Sequence, residues 1–159
     1  MILSFGQTWP AFVASAPDVN GNLNPDPAKR VTRRLWKPST AAKYVAGFEF
    51  EAYDTAPFRH GRKIGTGRVR VTAYAEAFSR MTDADYVAEG FAWFHRHPLA
   101  IPAQARAETW GADDCAFESF ARWRDEGQGS VYVLHYDTIA VEPWAKALLE
   151  RILRGEIKP

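Results

Sequence analysis

The sequence predicts an α+β domain, a small mixed β-barrel surrounded by helices. Segments that alternate apolar and polar residues at the period of a strand recur at irregular distances, and short capped helical segments lie between them. No regular strand-helix-strand alternation and no internal repeat points to a doubly wound sheet or a solenoid. The 159 residues suit a single domain, 1–159, with a core of its own. Aromatic residues at 14% supply that core or provide stacking surfaces.

Ile2 to Phe5 reads as a short first strand. A helical turn follows from Trp9 to Ser15, with Thr8 placed to cap it and Pro10 in the first turn, where a missing N–H costs nothing. Residues 16–28, dense in Pro, Asn, Asp and Gly, form a loop insertion. Val31 to Trp36 extends; Pro38, Ser39 and Thr40 then open a helix through Val45 that Gly47 closes. Phe48 to Tyr53 alternates apolar and acidic residues as a half-buried strand does. Arg68 to Tyr74 alternates again, so the two pair, and Gly65 and Gly67 allow a bend just upstream. Thr82 to Asp85 is a helix start, and Gly90 ends that helix. His95 to Pro102 contains two prolines and reads as irregular. Residues 112–126 carry Ala116, Phe117, Phe120 and Trp123 at helical spacing, up to Gly127. Ser130 to Asp137 is a buried strand. The C-terminal helix, 143–154, sets Trp144, Ala147, Leu148 and Ile152 on one face.

The formal charge of +1 conceals an asymmetry. Residues 1–80 carry 12 Lys/Arg against 6 Asp/Glu, a balance of +6, and residues 81–159 carry 8 against 13, a balance of −5. A polyanion face therefore belongs to the first half, yet a nonspecific duplex binder, basic over its whole surface, is excluded. No apolar run near membrane length and no signal peptide is evident, so a cytoplasmic protein with no membrane contact is expected. The lone Cys115 forms no internal disulfide and reads as a small buried residue.

The most unusual stretch is Lys29-Arg30-Val31-Thr32-Arg33-Arg34-Leu35-Trp36-Lys37. Cations beside an indole offer phosphate contacts next to a stacking surface, the combination that a base or a single strand needs. Lys29 and Thr32, three apart, meet if the chain turns there. A threonine hydroxyl becomes a nucleophile only when a base takes its proton, and a lysine serves only when its amine is partly neutral. Crowding by Arg30, Arg33 and Arg34 would push Lys29 in that direction.

Lys29-Arg30-Val31-Thr32-Arg33-Arg34 resembles the Lys-x-x-Thr-x-Arg signature of the ASCH domain, a family of the PUA-like superfamily of small β-barrels. The order of the later pieces agrees: strands between Phe48 and Tyr74, the segment Asp85 to Phe91, Phe117 and Trp123, and the closing strand Val131 to Tyr136. The likeness runs from Met1 to about Asp137, and this chain departs from the pattern at Asp26-Pro27-Ala28, where a glycine usually precedes the lysine. The resemblance implies an amidohydrolase that removes the acyl group of N4-acetylcytidine or a related modified base. It implies Thr32 as nucleophile, Lys29 as its base and Glu89 as the third catalytic group. Arg30, Arg33, Arg34, Trp36 and Lys37 would bind the substrate, a modified nucleoside or single-stranded RNA, and no cofactor or metal is expected. An RNA or modified-base binding module and a metal-independent ribonuclease are the alternatives.

Other candidates are weaker. His95-Arg96-His97 has the alternate spacing of two metal ligands on a strand but lacks a third. His60 reads as a loop residue of a basic turn, and His135 as a satisfied core histidine. Asp113 and Asp114 suit a helix N-terminus. Gly61, Gly65 and Gly67 do not match a phosphate-binding fingerprint. Trp93 and Phe94 read as core in preference to a base-stacking lid.

Overall fold

A computed structural model describes residues 1–102 and 116–159. It shows a mixed α+β architecture: a five-stranded sheet with helices packed around it. The strands are β1 (Ile2–Ser4), β2 (Val31–Arg34), β3 (Glu49–Tyr53), β4 (Lys63–Ala77) and β5 (Ser130–Val141). Their order in the sheet is β1-β3-β4-β5-β2. β1 runs parallel to β3, and every other pair is antiparallel. The helices are α1 (Trp9–Ala14), α2 (Pro38–Ala41), α3 (Asp83–Ala88), α4 (Phe91–Arg96), α5 (Ala116–Glu126) and α6 (Pro143–Leu153).

The sheet's two edge strands, β1 and β2, share no ladder, so backbone pairing does not close the sheet into a barrel among the described residues. A side chain spans the gap instead: Arg34 of β2 donates from Nη2 to the main-chain oxygen of Ser4 at 2.7 Å. The edges are therefore within reach of one guanidinium, and the sheet is strongly curled. β4 drives that curl. It runs 15 residues, well past the predicted Arg68 to Tyr74, and its pairing with β5 shifts register three times, each shift adding local bend and twist. Gly67 sits under the Phe50 ring, which a Cβ at that position would strike.

Inside the curl lies an aromatic core. Phe5 packs against Phe12 at 4.5 Å between centroids, and Tyr136 meets Phe50 edge-on at 5.7 Å. Such pairs contribute about 0.5–1.5 kcal/mol beyond their burial. The Tyr136 hydroxyl, fully buried here, has no hydrogen-bond partner among the described residues. Burial raises its pKa well above that of a free phenol, and the charge of Glu89 adds to the effect, so it stays protonated. An unsatisfied buried hydroxyl costs about 1–3 kcal/mol. Tyr136→Phe is therefore expected to stabilise the fold by about 1 kcal/mol, a rise of about 2–4 °C in Tm for a chain this long. Differential scanning calorimetry decides it: an unchanged or lowered Tm means that the hydroxyl is bonded in solution.

Several sequence expectations change. The predicted irregular stretch from His95 contains the end of α4, so His95 and His97 are not alternate residues of a strand. Thr8 donates its hydroxyl back to the Phe5 carbonyl at 3.0 Å and caps nothing. The helix at Pro38 stops at Ala41, short of Val45. His135 lies on the outer side of β5, half-buried and stacked against Tyr74, whose hydroxyl is 3.1 Å from its Nε2; it is not a core histidine. On α6 the buried face is Ala145, Leu149 and Ile152, and Ala147 is exposed. Trp93 and Phe94 are core residues. Cys115, Asp113 and Asp114 lie outside the described residues. No described helix is long and apolar enough to cross a membrane.

Candidate functional site

The residues just ahead of β2 are fixed from two sides. The main-chain N–H of Lys29 donates to Ser15 Oγ at 2.9 Å, directly after α1, and the Ser15 hydroxyl donates to Ala11 at 2.8 Å. The next N–H, of Arg30, donates to the Ala88 carbonyl at the end of α3 at 2.9 Å. Gly90 makes this approach feasible. Its φ of +94° lies in the left-handed region, and a Cβ there would come within 3.3 Å of the Lys29 side chain and 3.1 Å of Ala11. The short chain α3-Glu89-Gly90-α4 thereby presses Glu89 against Lys29.

The Lys29 side chain, only 1% exposed, ends on Glu89. Its Nζ donates to Glu89 Oε2 at 2.7 Å and to the Glu89 main-chain oxygen at 2.6 Å. Arg33 donates from Nη1 to the other carboxylate oxygen, Oε1, at 3.1 Å. Its Nη2 reaches Glu76 of β4 at 2.7 Å and Asp85 of α3 at 2.8 Å. Arg34 makes its two hydrogen bonds to main-chain oxygens, of Arg33 and Ser4, and has no carboxylate partner among the described residues. Three cations thus stand with three carboxylates in a buried network. A pair that buried persists only when each member is hydrogen-bonded, which the geometry satisfies for Lys29, Arg33 and Glu89.

The pKa directions follow. Burial pushes the Lys29 amine below its ordinary 10.5; Glu89 opposes this, and Arg34 and Arg33 add to it. Crowding by cations is the smaller cause and Arg30 is not among them, so desolvation and not charge density shifts this lysine. Burial works against the charge of Arg33 too, but Glu89, Glu76 and Asp85 outweigh it and raise its pKa. Burial would raise Asp85; the Thr82 N–H and Arg33 prevail and lower it.

Beside this network lies a cavity of about 150 Å³ lined by Lys29, Thr32, Arg33, Arg34 and Glu89, with Phe91 of α4, Ser119 and Trp123 of α5, and Gln7 and Thr8 ahead of α1. The three residues expected to carry chemistry, Lys29, Thr32 and Glu89, therefore share one space. The amine is held by Glu89, and no hydrogen bond joins it to the Thr32 hydroxyl. Thr32 is 1% exposed and pairs with Leu134 across the β2–β5 ladder.

Of the residues expected to bind substrate, Arg33 and Arg34 line the cavity. Arg33 is committed to carboxylates, whereas Arg34 is not. Arg30 and Lys37 are exposed and lie outside it; Arg30 borders a separate depression with Arg70 and Asp137. Trp36 does not line it either, because its ring is stacked on Tyr44 at 4.5 Å and 9°. The aromatic walls are Phe91 and Trp123, 6.2 Å apart. Asp85 and Glu76, which hold Arg33, were not expected from the sequence, although Asp85 and Glu89 stand four apart on α3 and its last turn, the spacing that places two side chains on one face.

No family model matches the chain, and no curated protein does. Among solved structures, it is similar to the crystal structure of protein EF3133 from Enterococcus faecalis, which bears the family model DUF984. The identity is 9%, the alignment covers 87% of this chain and 73% of that one, and the TM-score is 0.46. At that level the likeness assigns neither fold nor function.

Proposed function

We propose that the protein is an amidohydrolase of the ASCH type, within a PUA-like fold, that removes the acyl group from an N4-acylated cytosine. One observation carries the reading: Lys29, Thr32 and Glu89 converge on a cavity of about 150 Å³. That is room for about five waters and well under the roughly 300 Å³ of a site for a drug-sized ligand. A single modified base suits that space and a nucleic-acid strand does not. The resemblance of residues 29–34 to the Lys-x-x-Thr-x-Arg signature supports the same reading.

In the reaction, the Thr32 oxygen forms a bond to the acyl carbon while its proton passes to the neutral Lys29 amine. The carbonyl oxygen takes on negative charge, and Arg34, the cavity cation without a carboxylate partner, is placed to stabilise it. The carbon–N4 bond breaks as Lys29 returns the proton to N4, freeing the cytosine. Water then attacks the threonine ester, Lys29 takes its proton and passes it to the departing Thr32 oxygen, and the acid leaves. Glu89 holds the amine in place through each proton transfer. Phe91 and Trp123 flank the base. Binding of a single strand uses a cationic groove with rings on which bases stack, and the ring that the sequence offers for that purpose, Trp36, is covered by Tyr44.

The test is chromatographic. N4-acetylcytidine incubated with the wild-type protein is expected to yield cytidine and acetate. Thr32→Ala is expected to abolish product and Thr32→Ser to retain part of it, both with an unchanged circular dichroism spectrum. Equal product from Thr32→Ala and wild type overturns the mechanism. Absence of product from the wild type overturns the substrate.

A further inference from the structure

A neutral amine has two N–H groups and one lone pair, and the surroundings of Lys29 account for the first two. One N–H goes to Glu89 Oε2 at 2.7 Å and the other to the Glu89 main-chain oxygen at 2.6 Å. Among the described residues Nζ has no third hydrogen-bond partner. The lone pair is therefore the position left for a ligand, on a side chain that lines the cavity. An amine held this way is a nucleophile toward carbonyl carbons as well as a base. Burial favours its neutral form. Elsewhere in the chain Lys37, Lys43, Lys146 and Lys158 are exposed, and Lys63 is held in its charged form by Glu51.

Two further groups of the cavity suit a ligand with both a carbonyl and a carboxylate. Glu89 Oε2, already bonded to the amine, is in place to carry protons between nitrogen and a departing oxygen. Arg34 donates from Nη1 to the Arg33 oxygen at 3.1 Å and from Nη2 to the Ser4 oxygen at 2.7 Å, which leaves N–H groups of its planar fork without a partner among the described residues. Such a guanidinium is an anchor for a carboxylate. The cavity of about 150 Å³, room for about five waters, limits that ligand to a few carbons.

We propose that Lys29 is an imine-forming lysine that captures a small 2-oxo carboxylic acid, with Arg34 holding the carboxylate. The Nζ lone pair forms a bond to the keto carbon; the carbon–oxygen bond breaks as the oxygen takes both amine protons, relayed by Glu89, and leaves as water; a carbon–nitrogen double bond remains. Neither an oxidant nor a reductant enters, and Thr32 takes no part, so this activity stands or falls apart from amide hydrolysis.

Pyruvate is the probe. Wild-type protein is incubated with it and with cyanoborohydride, which reduces an imine to a stable amine, and the adducts are mapped by peptide mass spectrometry. Acetone, a ketone without the carboxylate, is the reference, and exposed Lys37 and Lys146 in the same samples correct for the unequal reactivity of the two ketones. The preference of Lys29 for pyruvate over acetone is expected to exceed theirs by about tenfold, the effect of one charge-assisted hydrogen bond. Arg34→Met should remove that excess and leave Lys37 and Lys146 as they were. A check that needs no variant uses lactate, which has the carboxylate and no keto group: it should slow the labelling of Lys29 alone. Lys29 left unlabelled while Lys37 and Lys146 react, a preference no greater than theirs or one that survives Arg34→Met, or labelling that lactate does not slow, overturns the inference. Each of these outcomes leaves the hydrolytic reading intact.

Discussion

Replacing Glu89 by glutamine is expected to destabilise the protein by about 3–5 kcal/mol, the cost of leaving a buried ion pair without one of its charges. The glutamine has the right shape, so the loss is electrostatic. Lys29 Nζ keeps the Glu89 main-chain oxygen at 2.6 Å but loses its only carboxylate among the described residues, at 2.7 Å. Arg33 fares better, because Glu76 and Asp85 still hold it. The stranded group is therefore Lys29, 1% exposed and already pushed toward neutrality by burial. Against a typical total of about 5–15 kcal/mol this is a large fraction, and Tm should fall by roughly 6–20 °C. The double variant Lys29→Met/Glu89→Met removes both charges and should recover most of the loss, since an apolar replacement of a buried pair is often neutral or better. Thermal melts of Lys29→Met, Glu89→Met and the double variant give the coupling energy. Additive single losses would show that the two residues do not act as a pair.

That network also explains how far the sequence could be read. Lys29 to Arg34 announced itself because five cations in nine residues are unusual and because a hydroxyl and an amine stood three apart. Which of those cations face the ligand was not legible. Along β2, Val31 packs with Ala88 of α3 and with Val133, Arg33 reaches Asp85 of α3 and Arg34 reaches Ser4 of β1, while Thr32, Arg33 and Arg34 all line the cavity. Arg33 is then consumed by carboxylates from elements 43 to 56 residues distant, a partnership that only tertiary structure reveals. Glu89 entered through the family resemblance and not through any local pattern. The i, i+4 spacing of Asp85 and Glu89 was a usable signal, masked because Asp85 also reads as a helix-start residue, a role it fills by accepting the Thr82 N–H at 2.7 Å. Trp36 was expected to stack on a base because it lies among cations; Tyr44, eight residues on, takes that face instead. The strands are legible through their alternation, but β4 continues past Tyr74 in regular register through Glu76 to Ala77 and is not legible there, because Ala75-Glu76-Ala77 offers no large apolar residue to mark the period, although Glu76 joins the site. α4 was missed because Pro98 and Pro102 suggested disruption over a longer stretch than they impose.

The second large effect concerns Lys29 and pH. If the neutral amine takes the Thr32 proton, kcat rises with pH as Lys29 deprotonates and levels off above its folded pKa. Burial sets that pKa below 10.5, so the plateau is expected before the pH at which a free lysine would titrate. Lys29→Ala should lower kcat by about 10²–10⁴-fold, the usual contribution of a positioned base, and what activity remains should lose this rising limb. Stability carries an independent signature of the same shift. Between the lowered folded pKa and the unfolded 10.5, the unfolded chain binds a proton that the folded chain has released, so stability increases with pH across that window. The two curves must share their lower bound, because one proton produces both. A kcat profile that is flat or falling with pH, beside a stability profile that rises, would mean that Lys29 is a buried structural cation paired with Glu89 and that another group activates Thr32. Concordant profiles, both abolished by Lys29→Ala, would assign the proton transfer to this amine, because a purely structural role moves stability and leaves the pH dependence of kcat untouched.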